Sequence, residues 1–496
     1  MVSLRAPEER CMEWSHYSNA LFDAYTGSQD NIIVQACPGA GKTTNIKHLW
    51  SLDDRPTVYL VFNKHNQLEA QGKIPSKKGS DVFTLNGLGH RAVMNTFGRI
   101  QLEPRKVLNI VKDTMTPQWK RQRLPYKVLN EREWTLARAV DMAKITALDT
   151  VMGSSEYHDM LSQYDLESYD GMLEDINTCL DINDNMTSTI DFNDQIRLPA
   201  LYRCNIPQYH NVLVDECQDL NIMQAKMVSH LQGKRFVFVG DKHQSIYGFR
   251  GAMASSMHHL STTFNCVELP LSITYRCGQS IVREAQRIYP DIEPWDSSPM
   301  GTVTRGIVVD CEKLHADYFR DPDTLILCRI NSPLVCMAFG LLRDGIACHV
   351  RGRDIGNGLA SLIRKLDVPT VRGLIDALEA WRELELQKAL AREDERKIQS
   401  IEDKYACLQL FIGKCQLDDT PESVIDAIED MFSQGRGLCL STVHKAKGLE
   451  AGTAYLLQYP LHGYFAERAR QDWQREQERN IEYVAVTRAK HALVYT

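Results

Sequence analysis

No apolar run in this 496-residue chain approaches the roughly 18 residues that a bilayer-spanning helix requires, so no membrane segment is expected. Nor do the fourteen cysteines contain a C-x-x-C pair. Scattered, and without a secretory leader ahead of them, they suit a reducing cytoplasm and small buried apolar positions rather than a disulfide framework or a zinc site. Internal repeats, low-complexity tracts and Pro/Gly/Ser linkers long enough to separate independent modules are missing too. So is any excess of positive charge: 57 Lys and Arg stand against 64 Asp and Glu, a formal net charge of -7. A protein coated in basic surface is thereby excluded, and binding of nucleic acid has to come from local patches and a defined groove. What is present is ordinary: 43% hydrophobic residues, enough chain for two to four domains with their own cores.

Short apolar runs recur before polar or glycine-rich turns: Ile32 to Ala36, Val58 to Phe62, Val212 to Val214, Phe236 to Val239, Leu325 to Cys328, Leu438 to Leu440 and Ala492 to Tyr495. They read as buried parallel strands of an α/β protein. Two stretches differ. From about Gly98 to Ile190 the pattern is helical and polar, clearest over Glu131 to Ile145, and from about Val371 to Gln434 it is helical and heavily charged; both read as insertions into sheet domains. Two basic patches, Trp119-Lys120-Arg121-Gln122-Arg123 with Tyr126 and Lys127, and Lys73 with Lys77 and Lys78, are candidates for contact with nucleic acid or plain solvated surface.

The chemistry sits at strand ends. Ala36-Cys37-Pro38-Gly39-Ala40-Gly41-Lys42-Thr43 follows a strand and precedes a helical pattern, the context of a phosphate-binding loop. Its glycines let backbone N–H groups close around phosphates, the helix N-terminus adds positive potential, Lys42 reaches the β and γ phosphates, and Thr43, followed by Thr44, offers a hydroxyl to Mg²⁺. Ala36 replaces the usual first glycine of the pattern. Val212 to Asp219 supplies the complement, a strand delivering adjacent carboxylates: Asp215 to hold Mg²⁺, Glu216 to orient or deprotonate the attacking water. In Val239-Gly240-Asp241-Lys242-His243-Gln244-Ser245-Ile246-Tyr247-Gly248-Phe249-Arg250-Gly251-Ala252, Gln244 would face the nucleotide, while Tyr247 and Phe249, with Arg250 beside them, suit stacking on unpaired bases.

With these motifs in this order, the chain resembles the UvrD/Rep-like helicases of superfamily 1, nearly from end to end. Val61-Phe62-Asn63-Lys64 and Phe83-Thr84-Leu85-Asn86-Gly87-Leu88-Gly89 are similar to that family's early DNA-contact motifs, which implies DNA contacts for Phe62, Asn63 and Thr84. Ile190 to Asp194 resembles the segment preceding the acidic strand. Leu271 to Arg276 resembles the motif opening a second motor domain, where the likeness implies Tyr275 stacked on adenine and Arg276 on the γ phosphate. Leu440 to Glu450 is similar to a motif in which Thr442 and His444 would touch the DNA backbone and Glu450 the ribose; in Tyr483 to Lys490, Arg488 would be a second arginine finger.

The resemblance implies two RecA-like P-loop motor domains with ATP and Mg²⁺ at their interface: 1–97 and 191–265 for the first, with 98–190 inserted, and 266–370 and 436–496 for the second, with 371–435 inserted. It further implies 3′-to-5′ translocation on single-stranded DNA, action at single-strand/duplex junctions, and partners among replication or recombination proteins. Three departures qualify the likeness. The family's adenine-reading glutamine falls at Ser18 or Asn19, so strict adenine preference is not implied; Phe249 stands for a common tryptophan and Asn86 for a common histidine. The second insertion is small, and the chain stops soon after its last motif, as expected of a member without extensions. A translocase that strips bound proteins without unwinding, on DNA or RNA, and a nucleotide-gated DNA-binding module are the alternatives; the intact Asp215-Glu216 pair and both candidate arginine fingers oppose the latter.

Overall fold

The computed structural model describes residues 14–148, 154–164, 166–246, 256–306, 319, 321–391, 395–432, 437–457 and 471–496. They divide into two compact units, the first from residues 14–242 and 256–273, the second from 243–246 and 274–496.

In the first unit, β1 (Ile32–Ala36), β2 (Thr57–Val61) and β3 (Asp81–Thr84) precede an insertion bounded by the short β4 (Gln101–Leu102) and β5 (Thr189–Ile190). The sheet resumes with β6 (Asn211–Val214), β7 (Arg235–Gly240) and β8 (Val267–Leu271). The order is β3-β2-β6-β7-β1-β8, parallel throughout. Runs of Val, Ile, Leu and Phe buried on both faces are what a parallel sheet demands, and Ile33, Leu60, Val214 and Phe238 sit in its core. Because every strand points the same way, the residues following β1, β6 and β7 emerge at one edge, where open parallel sheets place their chemistry.

The expected border at 266 needs correction. β8 pairs with β1, Ile32 opposite Val267 and Ala36 opposite Leu271, so the first sheet continues to Leu271. Val267, Glu268 and Pro270 of this edge strand are exposed, which hides it from any search for a continuous apolar run.

The first insertion leaves and returns side by side, β4 pairing with β5. Its helices, among them Lys106–Thr114, Tyr126–Ile145 and Met172–Asn185, enclose a core of their own built on Val111, Leu136, Val140, Ile176 and Leu180. Trp119 belongs to that core at 3% exposure, which removes it from the expected basic surface patch. A whole indole gains more from leaving water than its lysine and arginine neighbours allow it to gain on the surface. Lys120, Arg121, Arg123 and Tyr126 stay exposed. Of the other patch, Lys77 turns inward onto the Trp50 and Asp53 carbonyls and the Thr57 hydroxyl, and Lys73 pairs with Glu69.

The second unit opens with a two-residue ladder, β9 (Ile273–Thr274) with β10 (Glu293–Pro294). Its main sheet follows: β11 (Thr302–Thr304), β12 (Thr324–Cys328), β13 (Cys348–Arg351), β14 (Leu438–Thr442), β15 (Ala451–Leu456) and β16 (Ala489–Tyr495), parallel in the order β11-β16-β15-β12-β14-β13. Helices Val371–Ala391, Glu395–Ile412 and Pro421–Met431 share one core with this sheet, Leu374, Phe411 and Ile428 clustering with Ile326 and Leu440. The second insertion is therefore an extension of its domain, unlike the first. Among the described residues no helix is long and apolar enough to cross a membrane.

Candidate functional site

The chain leaves β1 through Cys37-Pro38 and turns twice through left-handed backbone, at Gly39 (φ 75°) and Gly41 (φ 76°), before helix Lys42–Ser51 begins. Only glycine takes those angles cheaply. The helix starts with no side-chain cap, so its first N–H groups are offered outward, the arrangement that binds anions. Cys37 anchors the loop: its N–H donates to the Leu271 carbonyl at 3.0 Å and its thiol to that of Ser272 at 3.0 Å, both at the end of β8. Pro38 and Ala40 are buried, Lys42 and Thr44 half-buried, and Thr43 exposed.

Asp215 follows β6 and is buried. Tyr59 donates its hydroxyl to one carboxyl oxygen at 2.8 Å, and the Glu216 N–H donates to the other at 2.9 Å. Burial, then the adjacent Glu216 charge, push the Asp215 carboxyl up to about 6, against the opposing pull of the Tyr59 hydrogen bond and the Lys42 ammonium. Glu216 is held in left-handed backbone at φ 51°, a strained setting for a residue with a Cβ. Its carboxylate accepts from the Gln218 amide nitrogen, while the Gln218 oxygen accepts the Asp241 N–H at 2.9 Å. Asp241 in turn accepts from Gln35 at 3.2 Å. The ends of β1, β6 and β7 are thus joined by one hydrogen-bonded chain. It fits only because residue 240 is glycine: a Cβ there would lie 2.4 Å from the Gln218 oxygen. Sequence reasoning passed over Gln218, since its link to Asp241 spans 23 residues.

Phe62, Asn63 and Thr84 are brought together as well. β2 and β3 pair with Val61 opposite Thr84, so all three stand at one edge of the sheet. Asn63 and Thr84 also cap helices, accepting the Asn66 and Gly87 N–H groups at 2.9 and 3.0 Å. Asn86 donates to the Phe192 carbonyl at 2.8 Å. Phe192 and Trp134, both exposed, flank a cavity of about 350 Å³ with Arg105 and Arg138, an aromatic surface the sequence reading did not single out.

The second unit carries the remaining candidates. Arg276 pairs with Glu450 at 2.7 Å and donates to the Thr487 carbonyl at 3.3 Å, and Glu450 also meets Lys490 at 2.9 Å. Against the cost of partial burial, the Lys490 hydrogen bond and the Arg276 charge hold the Glu450 carboxyl below its ordinary value. Arg488 is 1% exposed and donates to the carbonyls of Val484 and Leu449 and to the Thr487 hydroxyl, at 2.9, 3.0 and 3.3 Å. Thr442 is buried at the end of β14 and His444 half-buried beyond it. Tyr275 is exposed beside Trp295.

Gln244 belongs to this unit although it follows β7 so closely. Lys447 donates to the Gln244 carbonyl at 2.7 Å and Asn480 to that of Ser245 at 2.9 Å, while the His243 ring stacks on Tyr289 at 3.5 Å. Tyr247, Phe249 and Arg250 lie outside the described residues.

Comparison with known proteins agrees with this layout. Residues 60–265 match the UvrD/REP helicase N-terminal domain and residues 368–496 the UvrD-like helicase C-terminal domain. Among curated proteins, the chain is 25% identical over 317 residues to F-box DNA helicase protein 1 of Schizosaccharomyces pombe, covering 58% of this chain and 34% of that one. It is 22% identical over 325 residues to ATP-dependent DNA helicase PcrA of Staphylococcus aureus, 61% of this chain and 43% of the relative. With ATP-dependent DNA helicase Rep of Salmonella typhimurium it shares 35% identity over 109 residues, 20% and 16% of the two chains. In each case the match spans less than half of the relative's length.

Proposed function

The chain belongs to the UvrD/Rep helicase family, and from that premise we propose that it is an ATP-driven motor that translocates on single-stranded DNA and unwinds duplex DNA 3′ to 5′ from single-strand/duplex junctions. One observation carries this reading: a glycine-shaped phosphate loop and an acid pair, Asp215 buried and Glu216 half-buried, open from the same edge of one parallel sheet, close enough that the Lys42 charge acts on Asp215.

In this reading the triphosphate lies along the backbone from Gly39 to Thr44, with Lys42 facing its β and γ groups. Thr43 and Asp215 would hold Mg²⁺, which when bound supplies positive charge between phosphate oxygens. The residues fit such an ion: a carboxylate whose charge is disfavoured by burial and by Glu216 is one that a cation stabilises. Glu216, held by Gln218, orients the attacking water or takes its proton. The second unit's own candidates are Tyr275 for the base, Glu450 for the ribose, and Arg276 and Gln244 for the γ phosphate. Arg488 is the second candidate arginine finger, and its hydrogen bond to Leu449 also fixes the Leu449-Glu450 turn. Phe62, Asn63, Thr84, Thr442 and His444, with Tyr247, Phe249 and Arg250, are the proposed DNA contacts, and replication or recombination proteins the proposed partners.

Two variants test the phosphate site by failing differently. Lys42→Ala is expected to weaken nucleotide binding; Glu216→Gln is expected to bind nucleotide as before and to lose DNA-stimulated hydrolysis. Substantial turnover in Glu216→Gln would remove that residue from its role.

A further inference from the structure

We propose that the second unit holds the nucleotide base in the corner formed by two rings, Tyr275 and Trp295, and thereby selects purines as a class rather than adenine alone. The inference rests on the ATPase reading above, which places the base at Tyr275, and adds to it a residue and a substrate range.

Both rings are conspicuous for being wet: Tyr275 is 43% and Trp295 45% exposed. Their centroids lie 5.8 Å apart with planes inclined at 54°, an open corner in which one ring offers a face and the other a side wall. The corner is fixed by backbone. β9 and β10 form the ladder that brings these two segments together, the Trp295 N–H donates to the Thr274 carbonyl at 3.2 Å, and the Trp295 carbonyl accepts the Ser298 N–H at 2.8 Å. Gln279 adds a hydrogen bond to the Ser298 carbonyl at 3.1 Å. Two large apolar faces pre-set at the surface and left in contact with water make a ready platform for a flat π ligand.

In the first unit, the two candidates for the adenine-reading position are each poorly suited to that role. Ser18 is buried, and both its N–H and its hydroxyl are engaged with the Ser15 hydroxyl at the start of helix His16–Gly27. Asn19 is exposed on that helix and shorter than the glutamine whose place it would take. Ring faces discriminate by area: a two-ring purine stacks over more surface than a one-ring pyrimidine, while adenine and guanine present nearly equal faces. The polar groups of the two rings favour neither purine: the indole N–H only donates, the Tyr275 hydroxyl can donate or accept, and both purines offer ring-nitrogen acceptors. Selection therefore falls between purine and pyrimidine.

The test is steady-state hydrolysis of ATP, GTP, CTP and UTP under saturating single-stranded DNA, by the unaltered protein, Trp295→Phe and Trp295→Ala. The expected result is a GTP kcat/KM within about tenfold of that for ATP, with both pyrimidine nucleotides disfavoured through KM. Trp295→Ala should raise KM for ATP and GTP at least about fivefold at nearly unchanged kcat, and Trp295→Phe should recover most of the loss. A preference for ATP over GTP of about 100-fold or more overturns the proposal, since stacking alone cannot supply it. So does an unchanged KM in Trp295→Ala, or a joint fall of kcat and melting temperature there, which would mark Trp295 as a mere pin for its turn. Absence of turnover with every nucleotide, or turnover that survives Lys42→Ala, would instead sink the ATPase reading and this inference with it.

Discussion

Asp215 is the residue at which the folding and the chemistry of the site conflict. Its folded carboxyl is raised above the ordinary 3.8 to about 6, so its proton favours the folded state below pH 4, and that contribution is lost as pH rises through 6. Above pH 6 the buried charge costs on the order of 1–3 kcal/mol. Asp215→Asn is accordingly expected to raise the melting temperature in metal-free buffer above pH 7, the gap closing between pH 6 and pH 4, while hydrolysis is lost; a lowered melting temperature at pH 8 would contradict this electrostatic account. The two arginines separate in the same manner. Arg276→Ala, at a partly buried group, is expected to cut turnover by orders of magnitude with the fold intact. Arg488→Ala strips buried acceptors of their donor and is expected to cost about 2–4 kcal/mol in urea denaturation. Lys42, Thr43, Asp215 and Glu216 could be singled out in the sequence as candidates because each motif is contiguous. The hydrogen-bond partners of Gln218 and Arg488 and the burial of Trp119 could not be, because each depends on which partners the fold brings up and on which side of the protein surface the side chain falls.

Among elements, the long apolar strands were legible and β8 was not, since an edge strand needs no second apolar face. The insertion that begins after β4 is fastened by a buried cluster no pattern search would assemble. Lys144 pairs with Asp191 and with Asp194 at 2.5 and 2.7 Å, and Lys106 with Asp194 at 2.8 Å, joining insertion helices to the segment that re-enters the sheet. Lys144→Ala leaves two buried carboxylates short of a cation and is expected to destabilise by about 3–5 kcal/mol, measured by denaturant unfolding; a change below about 1 kcal/mol would show that the cluster fastens nothing. The segment after β7 is fastened by stacking as well as by the hydrogen bonds to its Gln244 and Ser245 carbonyls. His243→Ala should lower the DNA-stimulated kcat while leaving nucleotide KM unchanged, and His243→Phe, which keeps a flat ring against Tyr289, should restore it. Equal losses in both variants would point to hydrogen bonding rather than ring contact.

The molecule as a whole is two parallel-sheet units of different construction, one with an insertion that has its own core and one whose inserted helices complete the sheet's core. Periodicity alone distinguished helical insertions from sheet, but could not say which of them stood apart, because that depends on where the apolar faces find partners. Family membership carries the expectation of a motor, and the strand-end chemistry supports hydrolysis. Movement along DNA is the step that joins them, and a strand-displacement assay tests it most directly. Duplexes bearing a 3′ single-stranded tail, a 5′ tail or no tail are incubated with ATP and the protein or its Glu216→Gln variant. The account predicts displacement from the 3′-tailed duplex alone, lost in Glu216→Gln; displacement from the 5′-tailed duplex in preference, or DNA-stimulated ATP consumption with no displacement from any of them, would contradict it.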